Sequence, residues 1–447
     1  MNDAGTPPTL PLIPTVPPPL GMPHLTNVGI GFEADSYSDW IDESMSWKQT
    51  CYVGDWSPLL LKLRVTGPDA MRFFADISIN DFSRLAVGRA RHIVLCNDTG
   101  KVMGDGVLMR LGADDLLFTS GPGVPWASWC LAHGTYDVEA RDESMDRFIF
   151  QVQGPESLRV LEELTGTDLR GIEFMGFAER EYDGMRFDVL RQGMAGELGY
   201  ELHGRFADSN RMWDAIVSAG TPHGLRRLGA RAKMVNHVEA CFPTPSVDYI
   251  PAWFAADVLD FGESMAASEM PMWDFVSNHA GSLAVAGVED LYFSPVELGW
   301  GRAIDVKREF RGRDALVAEL AEPRRHIVTL VWDAEDVADV WTSLLRDGEP
   351  FEQMEMPRGP LGCVRADRVL AGDIEVGISV SRCYSYFFRQ MLSLGVIDVA
   401  RTEPGTRVEV VWGAAGFPEK KIKATVAPAP YKPDNRRVDV SLLPTYI

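Results

Sequence analysis

Two carboxylates set among glycines are the residues best placed to do chemistry. Glu201 lies in the run from Leu190 to Gly204, LRQGMAGELGYELHG, where Gly193, Gly196 and Gly199 recur every third residue. Glycines at that density allow backbone angles closed to other residues and let a flat ligand approach the main chain. The alternation Tyr200-Glu201-Leu202-His203 then marks a strand leaving the turn, so a charge and a close backbone surface meet at one point. The plainer alternative is a glycine bulge with a solvent-facing glutamate. The second carboxylate, Asp105, stands between Gly104 and Gly106 ahead of a strand and can point into a cleft; its alternative is an Asp-Gly hairpin turn. His237 and Glu239 are spaced to share one face of a strand and are further site-lining candidates.

Strands and helices must hold these groups. Arg186 to Arg191 reads as a strand leading into the glycine turn, and 206–220 as a helix closed by Gly220. Earlier in the chain, 38–47 reads as a short amphipathic helix, 59–66 as a strand and 68–77 as a helix. Strands follow over 91–95, 106–111 and 115–119, and a helix over 154–164 is opened by Pro155. Two units of strand and helix in succession fit α+β domains of the split βαβ, ferredoxin-like kind. From Ile327 the pattern changes to short strands (327–332, 363–370, 375–380, 392–396, 407–412 and 422–426) punctuated by glycine and proline, as in a small antiparallel β-barrel. Residues 6–23 carry eight prolines, which forbids regular structure and predicts an extended arm.

A chain of 447 residues has room for two or three domains with sizeable cores. It lacks an apolar run of membrane length and a charged-then-apolar leader, so a soluble, cytoplasmic protein is expected, without a membrane partner. A formal charge of −21 argues against nucleic acid as a general partner, because phosphate binding needs clustered Lys and Arg. The six cysteines are scattered without a C-x-x-C pair or a histidine spacing that suggests zinc; they read as reduced core thiols, and no metal is expected. A P-loop, an HExxH motif and a convincing dinucleotide fingerprint are all missing, which leaves redox or metal-dependent chemistry without sequence support.

Several blocks in fixed order carry a family resemblance. Phe150-Gln151-Val152-Gln153-Gly154-Pro155 precedes the glycine run; Ser294-Pro295-Val296-Glu297-Leu298-Gly299-Trp300 and Phe310-Arg311-Gly312-Arg313-Asp314-Ala315-Leu316 follow it. Together they resemble the folate-dependent T-protein family, the aminomethyltransferases of glycine cleavage and their demethylase relatives. The variant Gly193-Met194-Ala195-Gly196 is more similar to the tetrahydrofolate-dependent aryl O-demethylases acting on vanillate or syringate. The resemblance implies a three-domain arrangement, with two intertwined α+β folate-binding domains (24–323) and a C-terminal β-barrel (324–447) behind the Pro-rich arm (1–23). It implies tetrahydrofolate as cofactor. Glu201 would grip the pterin, whose amino group and ring N–H form a paired donor face that a carboxylate accepts bidentately. Gln151, Arg231 and Tyr200 would be further cofactor contacts, and Asp105 would lie near the reactive folate nitrogens.

The chain departs from the resemblance in ways that bear on substrate. Where the demethylases place a catalytic tyrosine it has Lys233, which can still donate a proton or hydrogen bond to a departing oxygen. Where they hold the substrate carboxylate with a histidine and an arginine it has Leu59 and Gly121. A carboxylate desolvated there without a cation would cost several kcal/mol, so an uncharged aromatic ether is expected, with His237 and Tyr249 also in the substrate pocket. Trp126, Trp129, Phe242, Trp253 and Phe254 offer aromatic surface in nearby segments. The expected reaction moves a methyl or methylene carbon from a methoxy or methylenedioxy group to folate, leaving a phenol or catechol. The alternatives are an aminomethyltransferase of glycine-cleavage type and a folate-binding module without catalysis. Oligomeric state is left open.

Overall fold

The computed structural model describes residues 25–28, 31–267, 279–356 and 364–447. The expected Pro-rich arm lies outside them, as does Cys363, the first residue of one expected barrel strand. The chain begins with a hairpin of β1 (Leu25–Val28) and β2 (Gly31–Ala34) and helix α1 (Trp40–Gln49). Asp39 caps α1 by accepting from the Ile41 N–H at 2.7 Å. Then come β3 (Tyr52–Asp55), β4 (Leu61–Thr66), α2 (Ala70–Ile77), β5 (Ala90–Cys96), β6 (Val102–Gly112), β7 (Asp115–Ser120), α3 (Gly123–His133) and β8 (Glu139–Asp142). The second stretch holds β9 (Arg147–Gln153), α4 (Ser157–Thr165), β10 (Phe177–Tyr182), β11 (Met185–Leu190), β12 (Gly199–Arg205), α5 (Ser209–Gly220), β13 (Arg226–Leu228), α6 (Ala230–Glu239) and α7 (Leu259–Ala266).

These strands make two sheets that do not follow chain order. One is six-stranded, β10-β11-β12-β9-β3-β13, with β13 parallel to β3 and the other pairs antiparallel; the second is five-stranded and antiparallel, β5-β6-β7-β4-β8. An early strand, β3, is therefore built into the sheet made mostly by the later segment, directly beside β9. Downstream, Arg325–Trp332, Asp367–Ala371, Ile374–Ser385, Gln390–Asp398, Arg407–Trp412 and Lys420–Ala427 close into a six-stranded antiparallel barrel. The expected barrel is thus present, with strand bounds shifted by a few residues.

Two readings of local structure are corrected. Asp105 is inside β6, opposite Val94, rather than in a turn ahead of a strand. Its glycine neighbours are needed for packing: a Cβ on Gly106 would lie 2.2 Å from the Thr119 carbonyl oxygen, and one on Gly104 2.5 Å from the Gly123 nitrogen. His237 and Glu239 lie on helix α6, not on a strand. Nine of the ten residues of α6 are buried, so its sequence lacks the one-sided apolar stripe by which a surface helix is recognised. Positions two apart on a helix face different directions, and Glu239 is turned toward Lys48 (2.6 Å), Trp47 and Ser385.

Candidate active site

One cavity of about 1080 Å³ is lined by residues from the five-stranded sheet, the six-stranded sheet, α6 and the barrel segment. It brings together Asp105, Glu201, Lys233, His237, Leu59 and Gly121. Glu201 reaches it because β12 alternates: Glu201 and His203 point one way, while Tyr200 and Leu202 point into the core with Phe150 and Leu161.

The Glu201 carboxylate is 2% exposed and sits among amides. It accepts from Gln151 Nε2 at 2.6 Å and from Gln192 Nε2, and His203 Nε2 lies 3.2 Å from its other oxygen. Gln151 is held in turn by the Tyr52 hydroxyl (3.3 Å) and by Gln153 Nε2 (3.1 Å), which both donate to its Oε1. Gln153 Oε1 accepts from the Ala195 N–H at 2.9 Å. This explains two of the glycines. A Cβ on Gly193 would lie 1.8 Å from Gln153 Nε2, and one on Gly199 2.3 Å from Gln153 Cγ, so both residues make room for an amide that braces the carboxylate. Gly196 is the one with left-handed backbone, φ +67°.

Asp105 is 7% exposed; one carboxylate oxygen is 2.8 Å from His92 Nε2, and the other accepts from the Tyr249 hydroxyl at 2.9 Å. Tyr249 is fully buried and holds Asp105 from behind instead of lining the cavity. Its hydroxyl is pushed well above the usual tyrosine range by burial, with the neighbouring Asp105 charge adding to the effect, so it stays a donor.

Lys233, 5% exposed on α6, donates to the Asp55 carbonyl oxygen, pairs with the Glu33 carboxylate and sits 4.0 Å above the Trp56 ring. Burial pushes the Glu33 carboxyl up to about 7 despite the Lys233 charge, and Asp55 up to about 6 for the same reason. His237 Nδ1 is 3.0 Å from the Lys233 carbonyl oxygen, and its Nε2 is 3.2 Å from Ser381 Oγ and 3.5 Å from Asp248.

Besides Tyr249, three expected cofactor contacts do not line the cavity. Tyr200 is packed in the core away from the cavity. Arg231 pairs with Asp35 at 2.5 Å and does not line the cavity. Gln151 stands behind Glu201 instead of forming the wall. Of the aromatic candidates, Phe242 lines the cavity, whereas Trp126, Trp129, Trp253 and Phe254 do not. The residues missed in the sequence are Glu33, Asp55, Trp56, His92, Gln153 and Gln192. Only the two glutamines carried a signal, lying in the same motif blocks as Gln151 and Gly193.

Arginines also line the cavity. Arg436 and Arg437 lie over the Phe174 ring at 5.8 and 4.2 Å, and Arg84, Arg89 and Arg302 line the same cavity. Among the described residues no helix is long and apolar enough to cross a membrane, and no cluster of His, Cys, Asp or Glu could hold a metal ion. Five of the six cysteines are described, all free and four of them buried.

This architecture is that of the T-proteins. The structure matches that of the glycine cleavage system aminomethyltransferase T from Bartonella henselae with a TM-score of 0.68, over 92% of this chain and 95% of that one, at 17% identity. The chain belongs to the GCVT family, whose N-terminal domain model matches residues 27–256. It is 34% identical to the sesamin methylene transferase of Sinomonas sp. (strain No.22), covering 93% of this chain and 94% of that protein. It is 31% identical to the syringate O-demethylase of Sphingobium sp. (strain NBRC 103272 / SYK-6), covering 91% of each. An aminomethyltransferase of Saccharopolyspora erythraea is 26% identical over 78% of this chain and 79% of that protein. The relationship expected from the motif blocks therefore holds along most of the chain.

Proposed function

We propose that this protein is a tetrahydrofolate-dependent one-carbon transferase that removes a methyl or methylene carbon from an uncharged aromatic ether. The observation that carries the reading is that one cavity joins the braced Glu201 carboxylate to a wall formed by Leu59, Gly121 and Trp56, with Lys233 facing the same space. The relatives named for sesamin methylene transfer and syringate O-demethylation support the reaction class.

The residues present fit a reduced pterin. Glu201 offers two acceptor oxygens, and the Gln192 amide on the same wall can both donate and accept. Tetrahydrofolate would supply the nitrogen that takes up the carbon. Arg436 and Arg437 suit its anionic tail, a role the acidic composition left without candidates. Asp105, kept in place by Tyr249 and His92, can take up a proton inside the cavity. Lys233 can protonate or hydrogen-bond an aryl oxygen as it departs; phenoxide is a poor leaving group and needs such help. At Leu59 and Gly121 the chain offers no cation where the resemblance places the anchors of a substrate carboxylate, so an uncharged ring is preferred. Residues 24–323 form the unit assigned to this chemistry; 324–447 adds His326, Ile327 and part of the segment from Ala429 to Arg437 to the wall.

Purified protein is to be incubated with a panel of neutral methoxy- and methylenedioxybenzenes, with and without tetrahydrofolate. Release of a phenol or catechol only with folate is expected. Folate binding without product from any ether would favour a binding module, and activity only with a lipoyl carrier would favour glycine cleavage.

A further inference from the structure

Glu33 belongs to none of the motif blocks, yet it lies on the cavity wall at 4% exposure. It comes from β2 of the short N-terminal hairpin, and apart from Lys233 its carboxylate oxygens have no hydrogen-bond partner among the described residues. A buried carboxyl left that way is costly unless it is neutralised or used. We propose that Glu33 holds the proton that Lys233 passes to the departing aryl oxygen, which makes it a positioning residue for proton delivery in the reaction proposed above, on which this inference rests.

The chemistry asks for such a store. When the carbon–oxygen bond breaks, its electron pair stays on the aryl oxygen, and one ammonium proton of Lys233 moves to that oxygen. The Glu33 carboxyl proton then passes to the amine so formed. A tetrahydrofolate nitrogen would take up the carbon, and Asp105, which lines the same cavity, would accept the proton released there. No oxidant or reductant enters. A methylenedioxy carbon carries two aryl oxygens, so this delivery occurs twice at one lysine, and a carboxyl touching that lysine can refill it; the two protons that folate would then release would leave one after the other through Asp105, the first passing on to His92 at 2.8 Å.

The surroundings suit a carboxyl that is protonated part of the time. Lys233 faces Glu33 from α6, Asp55 from the end of β3 and Glu43 from α1, with Tyr37 just ahead of α1. Glu43 is occupied, accepting from the Tyr37, Ser38 and Gly229 N–H groups, and Lys62 lies beyond Asp55. Burial opposes ionisation of Glu33 more strongly than Lys233 favours it.

The test combines Glu33→Gln, Lys233→Met and the double variant, assayed by single-turnover catechol release across pH, with infrared titration of the ligand-free protein. Wild type should lose rate as pH rises through about 7; Glu33→Gln should be about a hundredfold slower, at the lower end of the range for proton-transfer catalysis, without that limb. The double variant should be no slower than Lys233→Met, because the two act in series. A protonated-carboxyl band titrating near pH 7 should vanish in Glu33→Gln. An unchanged pH profile in Glu33→Gln, additive effects in the double variant, or a band that persists would each overturn the inference. Catechol from wild type together with any of these results would sink this inference alone; no product from wild type would sink the functional reading itself.

Discussion

Replacing Glu201 by Gln keeps the shape of the side chain and removes its charge and one acceptor oxygen. In the wild-type protein the carboxylate accepts from Gln151 and Gln192, and the amide bracing runs back through Gln153 to the Ala195 N–H. Hydrogen bonds to a charged partner contribute about 1.5–3 kcal/mol, and a buried donor left facing another donor costs about 1–3 kcal/mol. The pterin would lose one charge-assisted bond and meet one opposed donor, a loss of about 3 kcal/mol or more, which corresponds to roughly a hundredfold in affinity. Anaerobic titration with tetrahydrofolate, followed by calorimetry, measures this directly. Near-UV circular dichroism should be unchanged, since Glu201 belongs to the cavity wall and not to the apolar core. Affinity within threefold of wild type in a folded variant would refute the assignment of the pterin to this carboxylate.

Lys233→Met should slow catechol release far more than it weakens folate binding; a variant of normal rate would make that lysine structural. Tyr200→Phe should leave folate affinity within twofold, because the ring is packed in the core and its hydroxyl has no hydrogen-bond partner among the described residues. A tenfold loss would return Tyr200 to the cofactor contacts. The Glu33 carboxyl is raised from 4.5 to about 7 in the folded protein. The folded state therefore binds this proton more tightly than the unfolded one, and the stability it contributes is present below pH 4.5 and lost as pH rises through about 7. Thermal denaturation should accordingly show wild type losing stability relative to Glu33→Gln across that window, whereas parallel curves would show that burial does not perturb the group.

What the sequence revealed follows from how local each feature is. The barrel strands and β12 could be read because alternation and turn residues lie within a few positions of each other. The expectation that Tyr200 is a cofactor contact overlooked this alternation: with Glu201 in the cavity, its neighbour on the strand faces the other way. Helix α6 could not be read, since a helix buried on nearly all sides has no polar face to set its period. Glu33 was beyond reach for another reason. Its significance lies in contact with Lys233, far along the chain, through the pairing of α6 with the N-terminal segment, and no short-range pattern encodes that. The glycines were recognised as significant, but the reason differs: Gly193 and Gly199 accommodate Gln153, which steadies Gln151 and through it Glu201.

Carbon tracing tests the central claim most directly. A neutral methylenedioxybenzene carrying ¹³C at the bridging carbon is to be incubated with the protein and tetrahydrofolate and followed by NMR. The account predicts that each equivalent of catechol formed is matched by one equivalent of label on the folate. Catechol formed without folate, or label appearing as free formaldehyde while folate remains unlabelled, would contradict it.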